Sequence, residues 1–254
     1  MSIRIVSANI QNGVGVTRSY GQYALVGWRY LLPHGPKALE ELVRFVGGEA
    51  IDVLALSEVE GGSFRSRGID YAQWLAERTP LCHHLFFPTV RRSLGGKVMA
   101  NQGNAVLSRW PLASHEAHRL PGGGEPRYLC EATIEHPDAS FLLFTTHLSL
   151  ARQERSEQLL DIARTVGAKT GPRLLMGDLN TSDVGELRDV EDEGLVKLPT
   201  GPTYPSWAPR RCLDHVFASE DWNDASAVVA ETVKVADHLP VVITVSRLRV
   251  PLLI

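Results

Sequence analysis

Small polar and acidic side chains directly follow or directly precede several apolar stretches of the sequence. Carboxylate, amide and imidazole groups bind hard divalent cations, transfer protons and hold phosphate oxygens. An active site on a rigid scaffold needs such groups to converge from the ends of different strands. The sequence therefore predicts that these stretches are strands whose ends together form a catalytic or metal-binding site. The residues concerned are Asn9, Glu58, His147, Asp178, Asn180, Asp214, Asp237 and His238.

Each of these residues, taken alone, also fits an ordinary structural role. Asn9 after a strand fits a turn, and Glu58 fits a surface carboxylate. His147 after an apolar run fits a hydrogen-bonded core histidine, Asp178 fits a helix N-cap, and Asp237–His238 fits a turn before the last strand. The functional interpretation depends on the joint occurrence of these residues in one chain.

The elements that must position these residues are predicted from hydrophobic patterning. Apolar residues at three- and four-residue spacing predict helices over 36–46, 69–78 and 151–166. Strands that follow strands, with few helices between them, indicate a mixed α+β or sandwich-like layout. No linker or internal repeat is found, so we expect one domain over residues 1–254. The predicted strands cover 3–8, 51–57, 84–90, 104–108, 128–135, 141–147, 173–177, 213–218, 227–235 and 241–246.

Composition narrows the class of protein. The chain has 254 residues, of which 44% are hydrophobic and 22% charged, as in folded globular proteins. With 26 Lys plus Arg against 29 Asp plus Glu, the net charge of −3 excludes a global positive field for nucleic acid but allows a local basic cleft. The first ten residues do not resemble a secretory signal, and no apolar run is long enough to span a bilayer. Three widely separated cysteines favour free thiols, and we expect a cytoplasmic protein of open oligomeric state.

Seven short motifs, in chain order, resemble those of the endonuclease/exonuclease/phosphatase superfamily. Members of this superfamily include deoxyribonuclease I, abasic-site endonucleases, neutral sphingomyelinases and inositol polyphosphate 5-phosphatases. The resemblance implies a DNase I-like α/β (α+β) fold, a four-layered sandwich of two packed mixed β-sheets flanked by helices. The motifs are Asn9, Ser57-Glu58-Val59, Gly103–Ser108, Thr146-His147-Leu148, Gly177-Asp178-Leu179-Asn180, Leu213–Val216 and Asp237-His238-Leu239-Pro240.

The resemblance also implies a reaction, the hydrolysis of a phosphodiester by in-line attack of water with Mg²⁺ or Mn²⁺ as cofactor. In this interpretation Glu58 is the principal metal ligand, and Asn9 and Asp237 lie beside the ion as ligands or through water. Asp178 holds the attacking water, and Asn180 fixes water or phosphate.

The remaining implied roles concern the phosphate. His238 pairs with Asp214 at the phosphate, either as a base or as a cationic stabiliser. His147 is the second histidine, which either donates to a phosphate oxygen or protonates the leaving group. Asn104 is expected to orient phosphate, and Arg127 is a candidate phosphate clamp because a guanidinium matches phosphate oxygens.

Two positions depart from the family pattern. Ser57 stands where many members have glutamine before the metal-binding glutamate, which bears on how Glu58 is oriented. His147 stands where abasic-site endonucleases generally have tyrosine, which disfavours abasic-site repair.

Several substrates and functions stay open at this point. The phosphodiester could belong to a nucleic acid, and the alternative is a phosphatase or phospholipase C-like enzyme on a lipid headgroup, inositol phosphate or small nucleotide. A catalytically silent binding protein on the same fold, or an unrelated α+β binding protein, is the alternative of another class. The loop 200–211 offers Tyr204, Trp207, Arg210 and Arg211 either as a stacking and cationic surface or as packing on a sheet edge. The apolar segment 250–254 is expected to dock on the body of the protein or on a partner.

Overall fold

Twelve strands and five α-helices make up residues 2–248, the part of the chain that the computed structural model describes. The expected docking of segment 250–254 lies outside these described residues. The strands are β1 (Ser2–Asn9), β2 (Val53–Glu60), β3 (His83–Leu94), β4 (Lys97–Ser108), β5 (Leu112–Arg119), β6 (Tyr128–Ile134), β7 (Phe141–His147), β8 (Arg173–Asp178), β9 (Leu195–Leu198), β10 (Asp214–Ser219), β11 (Trp222–Val229) and β12 (Val241–Leu248). The helices are α1 (Gln22–Val26), α2 (Glu40–Gly48), α3 (Tyr71–Ala76), α4 (Arg152–Gly167) and α5 (Arg188–Asp192).

The strands form two six-stranded sheets. The first has the order β11-β12-β1-β2-β4-β3, in which β1 and β2 are parallel and the other neighbours antiparallel. The second has the order β5-β6-β7-β8-β10-β9, in which β7 and β8 are the parallel pair. Both sheets are therefore mixed, and each has its parallel pair at the centre.

Alternation along the strands divides the apolar side chains between three clusters. Ile5 of β1 and Met176 of β8 lie in a core between the two sheets. On the opposite faces, Val6 packs in the cluster under α2 and α3, and Leu175 packs in the cluster under α4. The layers therefore follow the order helices, sheet, sheet, helices, which is the predicted four-layered α/β sandwich.

Helix α4 covers the second sheet. The predicted helix over 151–166 is observed at Arg152–Gly167. Leu159, Ile162, Ala163 and Val166 are buried on one face, and burial of each large apolar side chain contributes about 1.5–3 kcal/mol.

The main errors of the sequence prediction lie at the sheet edges. The prediction of a strand over 227–235 is wrong in its second half, because β11 ends at Val229 and the chain then turns. Strands β5 and β9 were not predicted, and β3 and β4 are longer than the predicted 84–90 and 104–108. Edge strands such as β5 expose most of their side chains and carry polar residues that lack clear apolar alternation.

Within residues 2–248, none of the helices combines the length and the apolar character needed to cross a bilayer.

Candidate active site

Four strand ends carry polar side chains into the space between the sheets. Alternate residues of β1, β7, β8 and β10 face the shared core, and these rows end at Asn9, His147, Asp178 and Asp214. The strand register places Asp178 beside His147 of β7 and beside Asp214 of β10. Asn9 Nδ2 donates to Asp178 Oδ2 at 3.2 Å and links the first sheet to the second. The structure thus brings together four of the predicted site residues.

The Gly-Asp-Leu-Asn motif requires glycine at its first position for a steric reason. Gly177 has a φ of +144°, and a Cβ at this position would lie 2.0 Å from the carbonyl oxygen of Thr146 on the neighbouring strand. Only glycine allows β8 to approach β7 this closely. This close approach holds Asp178 at the end of β8, where the register pairs it with His147.

Glu58 reaches the same cavity through an irregularity in β2. The register between β2 and β4 shifts around Glu58, which has a φ of 52°. Asn9 Nδ2 donates to Glu58 Oε1 at 3.0 Å, and Asn12 Nδ2 donates to Oε2 at 3.3 Å. These two amides orient the Glu58 carboxylate. The residue before Glu58 is Ser57, which is small and buried.

The other two residues predicted at the metal, Asn9 and Asp237, both have hydrogen-bond partners within the protein. Asn9 Oδ1 accepts a hydrogen bond from the backbone N–H of Gln11 at 2.9 Å, so its amide oxygen already has a partner. Asp237 lines the cavity, and its Oδ2 accepts a hydrogen bond from the Tyr23 hydroxyl.

Three carboxyl groups of the cavity have raised pKa values. Burial raises the pKa of Glu58 to about 7, helped by Asp237 and Asp178 and opposed by Asn9 and His238. Burial also raises the pKa of Asp178 to about 6 and moves that of Asp237 upward. Burial therefore makes the charged form of these carboxyl groups less stable than in water, and a bound cation would offset that effect. Because hard divalent cations prefer oxygen ligands, this set of residues fits Mg²⁺ or Mn²⁺.

His238 forms a buried pair with Asp214. Nδ1 of His238 lies 2.8 Å from Asp214 Oδ2, and Nε2 lies 3.6 Å from Asp178 Oδ2. The Thr203 hydroxyl donates to the same Asp214 oxygen at 2.5 Å. Burial alone would lower the pKa of His238, but Asp214 and Asp178 raise it to about 10. His238 is therefore an imidazolium cation at neutral pH.

His147 differs from His238 in the direction of its pKa shift. Its Nε2 lies 3.6 Å from Asp178 Oδ2, and its Nδ1 lies 3.9 Å from Glu58 Oε1. Burial, with Arg127 and His238 nearby, lowers the pKa of His147 well below its usual value. The cavity thus contains one cationic and one neutral histidine, and pKa values driven apart in this way often indicate separate chemical roles.

The remaining predicted residues differ in their access to the cavity. Arg127 lines it, and its Nε is buried without a hydrogen-bond partner among the described residues. Asn180 also lines it, but Nδ2 of Asn180 donates to the carbonyl oxygen of Leu148 at 2.9 Å. Asn104 lies in a smaller cavity beside Glu58, where its Nδ2 contacts Cys130 Sγ at 3.5 Å.

The main cavity has a volume of about 430 Å³ and includes residues without a predicted catalytic role. Of the loop 200–211, Tyr204 and Arg211 line it, whereas Trp207 packs against Tyr20 with ring centroids 5.0 Å apart. Asn12 was not among the predicted site residues. Its one local signal is that it is a second amide, three residues after Asn9. The lining residues outside the predicted catalytic, phosphate-binding and metal set are Asn12, Tyr30, Gln102, Glu125, Leu150, Tyr204, Arg211 and Leu213.

Comparisons with known proteins agree with this architecture. A structure described as endonuclease/exonuclease/phosphatase from Beutenbergia cavernae is similar with a TM-score of 0.73 and 24% identity, covering 97% of this chain and 72% of that chain. Danio rerio TDP2 complexed with a single-strand DNA product is similar with a TM-score of 0.66 and 17% identity, covering 97% of this chain and 99% of that chain. Sphingomyelinase C from Streptomyces griseocarneus is similar with a TM-score of 0.67 and 18% identity, covering 97% of this chain and 100% of that chain. These similarities confirm the predicted DNase I-like fold.

A comparison with curated protein sequences gave no match. The family model described as Endonuclease/Exonuclease/phosphatase family, in contrast, matches residues 6–238 of the chain. That range includes every polar strand end described above. The chain therefore belongs to the Endonuclease/Exonuclease/phosphatase family.

Proposed function

We propose that the protein is a divalent-metal-dependent hydrolase of phosphodiesters, which it cleaves by in-line attack of water. The observation that carries this proposal is that Glu58, Asp178 and His238 line one cavity, with the buried Asp214 held 2.8 Å from Nδ1 of His238. Membership of the family supports phosphate-ester hydrolysis in general. Two similar structures, one with a DNA product and one a sphingomyelinase C, support both nucleic acid and lipid headgroup as substrate classes to be tested.

The cation would be held by carboxylate oxygens of Glu58 and Asp237. When bound, such an ion neutralises charge on the phosphate and orients it for attack. Asn9 and Asn12 position Glu58 for this task through their hydrogen bonds to its two oxygens.

Asp178 is the residue we assign to the attacking water. Its Oδ2 faces both histidines at 3.6 Å, and its Oδ1 is fixed by the backbone N–H of Asn180 at 3.0 Å. A carboxylate with a pKa of about 6 can accept a proton near neutral pH. Asp178 therefore orients the water and receives its proton.

The phosphate oxygens are bound by cations and N–H donors of this chain. The imidazolium of His238, kept charged by Asp214, stabilises the negative charge that develops in the transition state. This assignment chooses the cationic stabiliser over the base for His238. Arg127 supplies a guanidinium whose Nε has no partner among the described residues, and neutral His147 supplies a ring N–H donor.

A substrate panel with Mn²⁺ tests the proposal. It contains bis-p-nitrophenyl phosphate, p-nitrophenyl phosphate, plasmid DNA, abasic duplex, sphingomyelin and inositol phosphates. We expect the diesters to be cleaved faster than the monoester, and chelation of the metal to stop turnover. Absence of hydrolysis on every ester would overturn the proposal and favour a silent binding protein.

Variants test the individual roles. Glu58→Ala should abolish turnover, and His238→Ala and Asp178→Asn should each lower kcat by about 10² or more, the usual scale for positioned proton-transfer and electrostatic groups. The matched controls are His84→Ala and Asp189→Asn, whose side chains are exposed on β3 and α5. Turnover like that of the wild type in His238→Ala or Asp178→Asn would remove that residue from the mechanism.

A further inference from the structure

A second cavity, of about 580 Å³, has a basic wall that the proposed function does not use. Six cationic side chains and two carboxylates, Glu40 and Glu41, line it. Such an excess is unusual in a chain whose net charge is −3, and it makes the cavity a local site of positive potential. The six cationic residues are Arg18, Arg29, Lys37, Arg44, Arg67 and Lys234.

These cations have no ionic partner within residues 2–248. None of them lies within 4.0 Å of a carboxylate oxygen there, whereas cations elsewhere, such as Arg65 and Arg155, form close ion pairs. Glu41 Oε1 instead accepts a hydrogen bond from the backbone N–H of Lys234 at 2.9 Å. The positive charge is therefore left available to an anion.

His34 is part of the cavity wall but adds no group that a ligand could reach. Its side chain is 95% buried, and its Nε2, which has no hydrogen-bond partner among the described residues, is not exposed to solvent. Nδ1 of His34 lies 3.2 Å from the hydroxyl of Tyr71 and 3.4 Å from the carbonyl oxygen of Gly35. The cationic side chains of the wall are therefore the groups that would contact an anion.

The second cavity adjoins the candidate active site. Tyr30 lines the active-site cavity, and its neighbour Arg29 lines the basic cavity. In the same way, Asp237 lines the first and Lys234, three residues earlier, lines the second. The segments 29–30 and 234–237 therefore contribute to the walls of both cavities, which is the reason for assigning ligands of the two cavities to one substrate.

We propose that the basic cavity binds a phosphate group of a substrate that carries more than one phosphate, while the reacting phosphate occupies the candidate active site. Guanidinium and ammonium groups match phosphate oxygens. Trp28 is half exposed at the cavity, and Arg29 Cζ lies over its ring at 5.6 Å from the centroid. The binding of phosphate stands by itself, whereas the assignment to the substrate rests on the proposed function.

The first measurement is equilibrium binding in EDTA. Without a divalent ion the acidic active site repels phosphate, so binding then reports on the basic cavity. The probes are a fluorescein-labelled oligothymidylate and inositol hexakisphosphate, which separate a nucleic acid strand from a small polyphosphate. Lys37→Glu/Arg67→Glu should weaken binding of at least one probe by about tenfold or more at fixed ionic strength. The control Arg164→Glu/Arg188→Glu makes the same charge change on α4 and α5, and all four side chains are exposed.

The second measurement is steady-state kinetics with Mn²⁺ on whichever probe is hydrolysed. Lys37→Glu/Arg67→Glu should raise KM with little change in kcat, because the replaced cations contact a phosphate remote from the reaction. Equal affinity of both double variants for both probes would overturn the inference. Weaker binding with an unchanged KM would overturn its assignment to the substrate. If the protein binds through this cavity but hydrolyses nothing, the proposed function fails and the phosphate site stands.

Discussion

Asn9 shows how one amide organises the acidic centre of the candidate active site. Its Nδ2 donates to both Glu58 and Asp178, at 3.0 and 3.2 Å, while its Oδ1 is fixed by Gln11. Two carboxylates that would otherwise repel each other are thereby held apart and oriented. The sequence analysis placed Asn9 at the metal directly or through water, and the geometry makes it a positioning residue for Glu58.

Asn9→Ala should therefore weaken Mn²⁺ binding by about 10–100-fold, the usual effect of removing a group that orients a metal ligand. The measurement is isothermal titration calorimetry on the metal-free protein. Asn223→Ala, an exposed asparagine on β11, is the matched control and should bind as the wild type does. Undiminished affinity in Asn9→Ala would show that Glu58 keeps its position without this amide.

Residues at strand ends were predictable, and residues held by long-range contacts were not. His147, Asp178 and Asp214 stand at the ends of recognisable apolar runs, and the structure shows that they face the core between the sheets. Asn12 reaches the site from a segment with irregular backbone, where its φ is 49°, and Tyr23 reaches it from the short helix α1. No periodicity in the sequence indicates such positions.

At the scale of elements, the loop after β2 positions Asn12 and, through it, Glu58. Arg65 in this loop forms a buried ion pair with Glu60 at 2.6 Å, and its Nη2 donates to Asn12 Oδ1 at 3.1 Å. Asn12 in turn donates to Glu58. Hydrophobic patterning assigns the segment 61–68 neither to a helix nor to a strand, and its support of the site depends on a buried arginine whose partners lie elsewhere in the chain.

A second contact between elements predicts a pH effect on stability. Glu131 of β6 accepts from Lys169, which follows α4, at 2.7 Å, and lies 3.0 Å from His118 Nε2. Burial by itself would raise the pKa of Glu131, but these two partners lower it. A lowered pKa in the folded state stabilises the protein above the usual carboxyl pKa of about 4.3, and the stabilisation is lost as the pH falls through the folded value.

Glu131→Gln should consequently lower the free energy of unfolding by about 1 kcal/mol at neutral pH, since Lys169 is partly exposed and solvent screens the pair. The deficit should shrink as the solution is made acidic. Urea denaturation, from neutral pH down through the usual carboxyl pKa, measures this deficit in the free energy of unfolding. The exposed Glu135→Gln is the control. A deficit that did not change with pH would attribute the effect to packing.

At the scale of the whole molecule, the centre of each sheet was predictable and the edges were not. Central strands such as β2 and β8 are buried on both faces and give continuous apolar runs. Edge strands β5 and β9 give no such pattern, and their place is fixed only by pairing with β6 and β10. The two-sheet sandwich itself was expected from the resemblance to the family, because local patterns do not specify how two sheets pack.

The candidate metal site draws on residues far apart in the chain, so a bound ion should stabilise the folded molecule against unfolding. Glu58 lies on β2 and Asp237 precedes β12, and both line one cavity. Mn²⁺ at about 100 times its Kd should add about 2.7 kcal/mol, which corresponds to a rise in Tm of about 5–10 °C. Glu58→Ala should lose this rise in differential scanning fluorimetry. Glu116→Ala, which alters the separate cluster of Glu116, His118 and Glu131, should retain it. A rise that survives in Glu58→Ala and disappears in Glu116→Ala would place the ion at that other cluster, on the strand pair β5–β6.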